Sequence, residues 1–210
     1  LSIFIAVIAA FALNNWNENR RDEITANKIL AEISNGLEKD IEDVRINKGG
    51  HEDGILACKF WWNIIDNKVM NLDSLPLHYF NLTRDYISIQ NISGYESLKS
   101  RGLELIKNDT LRFRIITLYE YDYNTLKKFE EEYIEMQYQQ SYFEQINQLI
   151  APKFKFNNNG NLVGINLPLD LSNEEKNTLL SYLWKIQVNR NFILQYYTKI
   201  EEKIIKLKAD

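Results

Sequence analysis

The chain opens with 13 residues that carry no charge and one polar side chain, Ser2, in the run LSIFIAVIAAFAL. Asn14, Asn15, Trp16, Asn17 and Glu18 follow, then the pair Arg20 and Arg21. An apolar run that ends in a tryptophan and then arginines has the order of a helix leaving a bilayer. The indole sits well at headgroup depth and arginine can reach the phosphates. A spanning helix needs ~20 apolar residues. Residues 1–17 are therefore expected to be the outer part of a transmembrane helix truncated at its N-terminal end, with Trp16, Arg20 and Arg21 at the membrane interface. Two other readings of the run are a buried core helix and a signal-peptide core, since Ala10-Phe11-Ala12 has the small-x-small form of a cleavage site.

Beyond the run, residues 18–210 are expected to form one helical bundle domain. Ala26, Leu30, Ile33, Leu37, Ile41 and Val44 recur at spacings of 3 and 4, which is one helical face. That first helix is expected to end at Lys48-Gly49-Gly50. A second helix is expected over 53–70, and 72–92 reads as irregular, with Pro76 and a short alternation through Tyr86 to Ile89. Ser93 and Glu96 have capping-box spacing ahead of a short helix that Gly102 stops. Asn108 caps a long segment that runs to Ile150 before Pro152. Residues 153–164 read as a small β-hairpin connector around an asparagine-glycine turn. Ser172 and Glu175 repeat the capping-box spacing at the start of the last helix.

The last helix has the cleanest pattern. Leu179, Leu183, Ile186, Arg190, Ile193, Tyr197, Ile200, Ile204 and Leu207 alternate steps of 4 and 3, a heptad seam broken only by Arg190. A charge at a core position must be paired or must reach water. An antiparallel register places Arg190 near 130–137 of the preceding helix, so Glu130 and Gln137 are its expected partners, with replacement by leucine tolerated. The alternative role for Arg190 is to bind an anion within the bundle. The pattern as a whole predicts an all-α fold: an elongated antiparallel bundle continuous with the N-terminal membrane helix.

Composition narrows the function classes. The chain has 210 residues, 45% hydrophobic and 12% aromatic, enough to bury a core. A net charge of −4 without a basic block argues against nucleic acid as a partner. One cysteine, Cys58, excludes an intramolecular disulfide framework and a cysteine-rich zinc site. Of the two histidines, His51 reads as part of a solvated helix start, and neither it nor His78 has spaced acidic or cysteine companions. No phosphate loop, nucleophile elbow or Glu-x-x-His pair is present. The chain is accordingly expected not to be an enzyme and to use no cofactor and no metal.

Trp61 and Trp62 cannot both face one core on a helix, so they are candidate binding residues beside Arg190. Trp16, one of those two, Tyr121, Tyr138 and Tyr142 fall off the main seams, and exposed aromatics at that density mark a contact surface. The segments ALNNWNENRR and GYESLKSRGLELIKNDTLRFRIITLYE resemble a family of uncharacterised single-pass membrane proteins of Bacteroidota, a domain of unknown function. The resemblance spans nearly the whole chain. It implies a bacterial inner-membrane location with the helical domain in the periplasm, and it implies no activity. The expected role is a membrane-anchored, non-enzymatic interaction or assembly subunit of an envelope complex. Its partners would be the lipid bilayer and either further copies of itself or other envelope proteins. The alternative is an extracytoplasmic helical-bundle sensor of a small ligand.

Overall fold

The computed structural model describes residues 2–209, with side chains from Ile3 onward. Leu1 and Asp210, the outermost residues of the expected anchor and bundle domain, lie outside the described residues. In chain order the helices are α1 (Ser2–Ile65), α2 (Leu75–Leu82), α3 (Ser93–Arg101), α4 (Asp109–Ile116), α5 (Asn124–Glu131), α6 (Tyr138–Ile150) and α7 (Asn173–Ala209). A π-helical stretch, Thr117–Tyr123, joins α4 to α5. The strands β1 (Phe154–Phe156) and β2 (Leu162–Ile165) form a two-stranded antiparallel hairpin. The fold is all-α with a β-hairpin.

The transmembrane expectation is overturned. Among the described residues no helix is long and apolar enough to cross a membrane. Within the described residues the uncharged run from Ser2 to Leu13 rises only ~18 Å, against a hydrocarbon core of ~30 Å. From Asn14 onward α1 carries Glu18, Arg20, Arg21, Asp22 and Glu23 on exposed positions. The single-pass inner-membrane placement and the periplasmic side that went with it do not survive this.

The Gly49-Gly50 break is also absent, because α1 is continuous from Ser2 to Ile65. Each of two glycines serves packing instead. A Cβ on Gly50 would lie 2.1 Å from Cε1 of Tyr86, and one on Gly54 would lie 2.3 Å from Nε of Arg190. The buried stripe of α1 includes Ala26, Ile29, Ile33, Leu37, Asp40, Val44, Asn47, His51, Gly54, Cys58 and Trp61. Three of these are polar, so the apolar periodicity alone did not show how far the stripe runs.

The long helix expected over 109–150 is three helices. The chain leaves α5 after Glu131 and passes through a 3₁₀ turn at Ile134–Met136 before α6. Side chains satisfy the interrupted backbone: Gln137 Nε2 donates to the Glu130 carbonyl, and Ser141 Oγ donates to the Ile134 carbonyl at 2.5 Å. Residues 75–82, expected to be irregular, form α2, with Pro76 in its first turn where a missing N–H costs nothing.

Two compact units divide the chain. One comprises residues up to Glu42, then 89–123 and those from Glu202; the other comprises 43–88 and 124–201. In the first, Asp40 is buried and accepts from Asn91 N at 2.8 Å, Asn91 Nδ2 at 2.7 Å and Tyr123 OH at 2.7 Å. Gly94 lets α3 approach α1 closely there, since a Cβ would lie 2.8 Å from the Ile33 nitrogen. The second unit holds an apolar cluster that includes Trp61, Ile64, Leu75, Tyr138, Ile146, Leu179 and Ile186.

Candidate functional site

Four segments of the second unit build an open groove of about 1040 Å³. On α2, Pro76, Tyr79, Phe80 and the following Thr83 recur at spacings of 3 and 4, which sets them on one helical face. On α6, Gln139, Phe143 and Asn147 recur every four residues and face the same space, while Tyr138, Tyr142, Ile146 and Ile150 are buried in the core. Phe154 and Phe156 are two apart on β1 and so share a face of the hairpin. Leu162 pairs with Phe156 across the ladder. Asn157 holds the tip by accepting from the backbone nitrogens of Asn159 and Asn161, each at 2.9 Å.

The ring walls are mutually supported. Tyr79 meets Phe154 edge to face at 4.8 Å between centroids and Phe143 at 6.3 Å. Trp61, fully buried, lies beneath them at 6.3 Å from Tyr79 and 6.4 Å from Phe154. Trp61 thus supports the ring walls from the core and does not itself line the groove. Trp62 is 38% exposed and does not line the groove. Trp16 is exposed, with the Arg20 guanidinium 5.7 Å over its ring, and Arg21 is also exposed. The expectation of surface tyrosines fails at Tyr138 and Tyr142, which are buried, and holds at Tyr121.

Along the polar edge, Thr83 Oγ1 donates to Gln139 Oε1 at 3.1 Å, and Tyr79 OH donates to Asn147 Oδ1. Burial pushes the Tyr79 phenol up, which keeps it a donor. Asp85 accepts from the backbone nitrogens of Tyr138 at 2.6 Å and Gln139 at 3.4 Å, capping α6 from outside the helix. Arg84 is exposed, its Cζ 4.7 Å from the Phe80 ring centroid and 5.4 Å from that of Tyr86. It separates the groove from a second depression of about 630 Å³ that Gly50, Asp53 and Tyr86 also line.

Arg190 holds this corner from below. It is 0% exposed, and its partners are not those expected from register. Nη2 donates to the carbonyls of Asn81 at 3.2 Å, Leu82 at 3.1 Å and Arg84 at 2.9 Å, and Nη1 lies 3.1 Å from His51 Nδ1. Its Cζ stands 4.1 Å from the Tyr138 ring centroid. Arg190 therefore caps the C-terminal end of α2, where free carbonyls and the helix dipole favour a cation. Both Nη atoms are engaged by protein groups, while the buried Nε has no hydrogen-bond partner among the described residues. Glu130 instead accepts from Ser88 N at 3.1 Å, Ser88 Oγ at 2.9 Å and Tyr197 OH. Desolvation pushes its carboxyl up to about 7.

His51, expected in solvent, is buried. Because Arg190 can only donate, His51 Nδ1 accepts and the ring proton sits on Nε2. Burial, then the charge of Arg190, lower its pKa to about 3. Burial likewise pushes the Cys58 thiol up to about 12, so it is held protonated and is a poor nucleophile. Among the described residues no group of three or more His, Cys, Asp or Glu side chains could hold a metal ion.

The spacing Pro76-x-x-Tyr79-Phe80-x-x-Thr83 was the sequence signal for one groove wall, masked by the reading of that segment as a loop. With that geometry in place, comparison with known proteins adds no relative: no family model, curated protein or solved structure matches the chain.

Proposed function

We propose that this protein is a non-enzymatic binding module that takes a small organic ligand in the aromatic groove. The observation that carries this is the convergence of Tyr79, Phe80, Phe143, Phe154 and Phe156 from three elements on one open concavity. Fully burying such side chains would stabilise a fold by ~1.5–3 kcal/mol each, and here none of them is fully buried. The volume matches a ligand site, typically ~300–1,000 Å³ with apolar walls and a few placed polar groups. The buried His51 and the protonated Cys58 supply no exposed nucleophile and base, which favours binding over turnover. NMR titration of the full chain with a library of aromatic and aliphatic fragments tests the reading. Shifts confined to the groove residues are expected; shifts only elsewhere, or none, overturn it.

A second observation favours self-association. Ile3, Phe4, Ile5, Val7, Ile8, Phe11 and Leu13 of α1 are exposed. Phe4, Ile8 and Phe11 step by 4 and 3, the spacing of a two-helix seam, and no charge in the run opposes an identical copy. Sedimentation velocity of the full chain is expected to give a dimer or larger species, shifted to monomer by Phe4→Glu with Phe11→Glu. A monomer in the unaltered chain overturns it.

A further inference from the structure

The polar edge of the groove is built from donors. Gln139 and Asn147 each have their carbonyl oxygen occupied by a hydroxyl, from Thr83 and Tyr79 respectively. What each amide leaves for a ligand is its NH₂. Arg84 adds a guanidinium that has no acidic side chain within 4.0 Å among the described residues. Packing over Phe80 and Tyr86 fixes its plane, and the Arg190 bond to its carbonyl fixes the backbone beneath it. Asp85 is the one acidic side chain on the groove wall. Its Oδ1 is committed to the first backbone nitrogens of α6, and the charge of Arg190 also bears on it. A cation with free donors, two amide NH₂ groups and an apolar floor complement one kind of guest.

We infer that the groove takes an amphiphilic acid, a ligand with an apolar or aromatic body on the rings and a carboxylate at Arg84. This rests on the groove being a binding site, as proposed above, and names what it selects. Such a group has two sources, a free organic acid or the C-terminal carboxylate of a peptide ending in an aromatic residue. Either presents the same acceptor to the guanidinium, which can engage both carboxylate oxygens at once.

Calorimetry on the full chain with matched probes tests it: 3-phenylpropionate against 3-phenylpropionamide, and N-acetyl-Phe-Phe against its C-terminal amide. Each acid is expected to bind at least about tenfold more tightly than its amide, the difference one charge-assisted contact supports. Arg84→Gln should bring each acid down to its amide with at most a small drop in the thermal midpoint, because the exposed Arg84 side chain loses only its packing over Phe80 and Tyr86. A larger gain for the dipeptide acid assigns the source to a chain terminus, and a larger gain for phenylpropionate assigns it to a free acid. Acid and amide bound equally in the groove overturn the inference and leave the groove as a binding site. Failure of all four probes to bind at millimolar concentration overturns both.

Discussion

Arg190 Nη2 lies 2.9 Å from the carbonyl oxygen of Arg84, so a fully buried guanidinium holds the backbone of an exposed one. The two arginines are 106 positions apart. The buried one carries no ion pair within 4.0 Å among the described residues; three carbonyls at the end of α2 and a neutral imidazole engage its two Nη atoms. Arg190→Leu is expected to cost ~3–5 kcal/mol, since three carbonyls and His51 Nδ1 lose a donor they cannot replace. Chemical denaturation of the variant checks this, and Arg190→Lys should recover only part, lacking the planar fork.

Gly54 is coupled to the same side chain. Alanine there would improve helix propensity by ~1 kcal/mol, yet its Cβ would lie 2.3 Å from Arg190 Nε and 2.4 Å from Cζ. Gly54→Ala alone should destabilise by ~1–3 kcal/mol, an overpacking cost. In the Arg190→Leu background the same change should be neutral or stabilising. A double-mutant cycle reads the coupling directly, and additive effects would show the contact to be unimportant.

His51 and Glu130 make opposite contributions to the pH dependence of stability. The folded pKa of His51 is depressed from 6.5 to about 3. Its contribution is present above pH 6.5 and lost as pH falls towards 3, ~5 kcal/mol in all. Glu130 is raised from 4.5 to about 7, so its contribution is present below pH 4.5 and lost as pH rises through 7, ~3 kcal/mol. Between pH 4.5 and 6.5 the two slopes cancel. Glu130→Gln should unmask stability that rises with pH in this window, and His51→Gln stability that falls. Urea midpoints at half-unit pH steps distinguish the three chains.

Asp40 plays the corresponding part in the other unit, accepting three hydrogen bonds from Asn91 and Tyr123. Asp40→Ala leaves the Asn91 backbone nitrogen and the Tyr123 hydroxyl without acceptors and should cost ~3 kcal/mol or more. Asp40→Asn, which keeps one acceptor oxygen, should cost less. Hydrogen exchange is expected to accelerate first around Asn91, just ahead of α3, and in the segment 117–123, where those partners sit.

Much of the fold was legible because its signals act within three or four residues. All nine seam positions of α7 are buried, Arg190 included. Ser172 and Glu175 form the reciprocal box, with bonds of 2.8 and 3.2 Å, and Asn108 caps α4 by accepting from Leu111 N at 3.1 Å. Gly102, at φ +102, ends α3. At Ser93 the same spacing misled, because Ile92 is the residue that precedes the helix and no side chain caps it. What only tertiary structure decided are the contacts made across long separations. Gly50 resembles a helix end in one dimension, but α1 passes through it because the ring of Tyr86 occupies the space a side chain would need. His51 and Arg190 meet across 139 positions, and their neighbours set both the protonation of one and the capping role of the other. The groove was hidden for the same reason: each wall is a one-face pattern of a few residues, and only packing of α2, α6 and the hairpin turns three such faces towards one another. At the apolar start of α1 residue order suggested a membrane exit, whereas no helix among the described residues is long and apolar enough to cross a membrane.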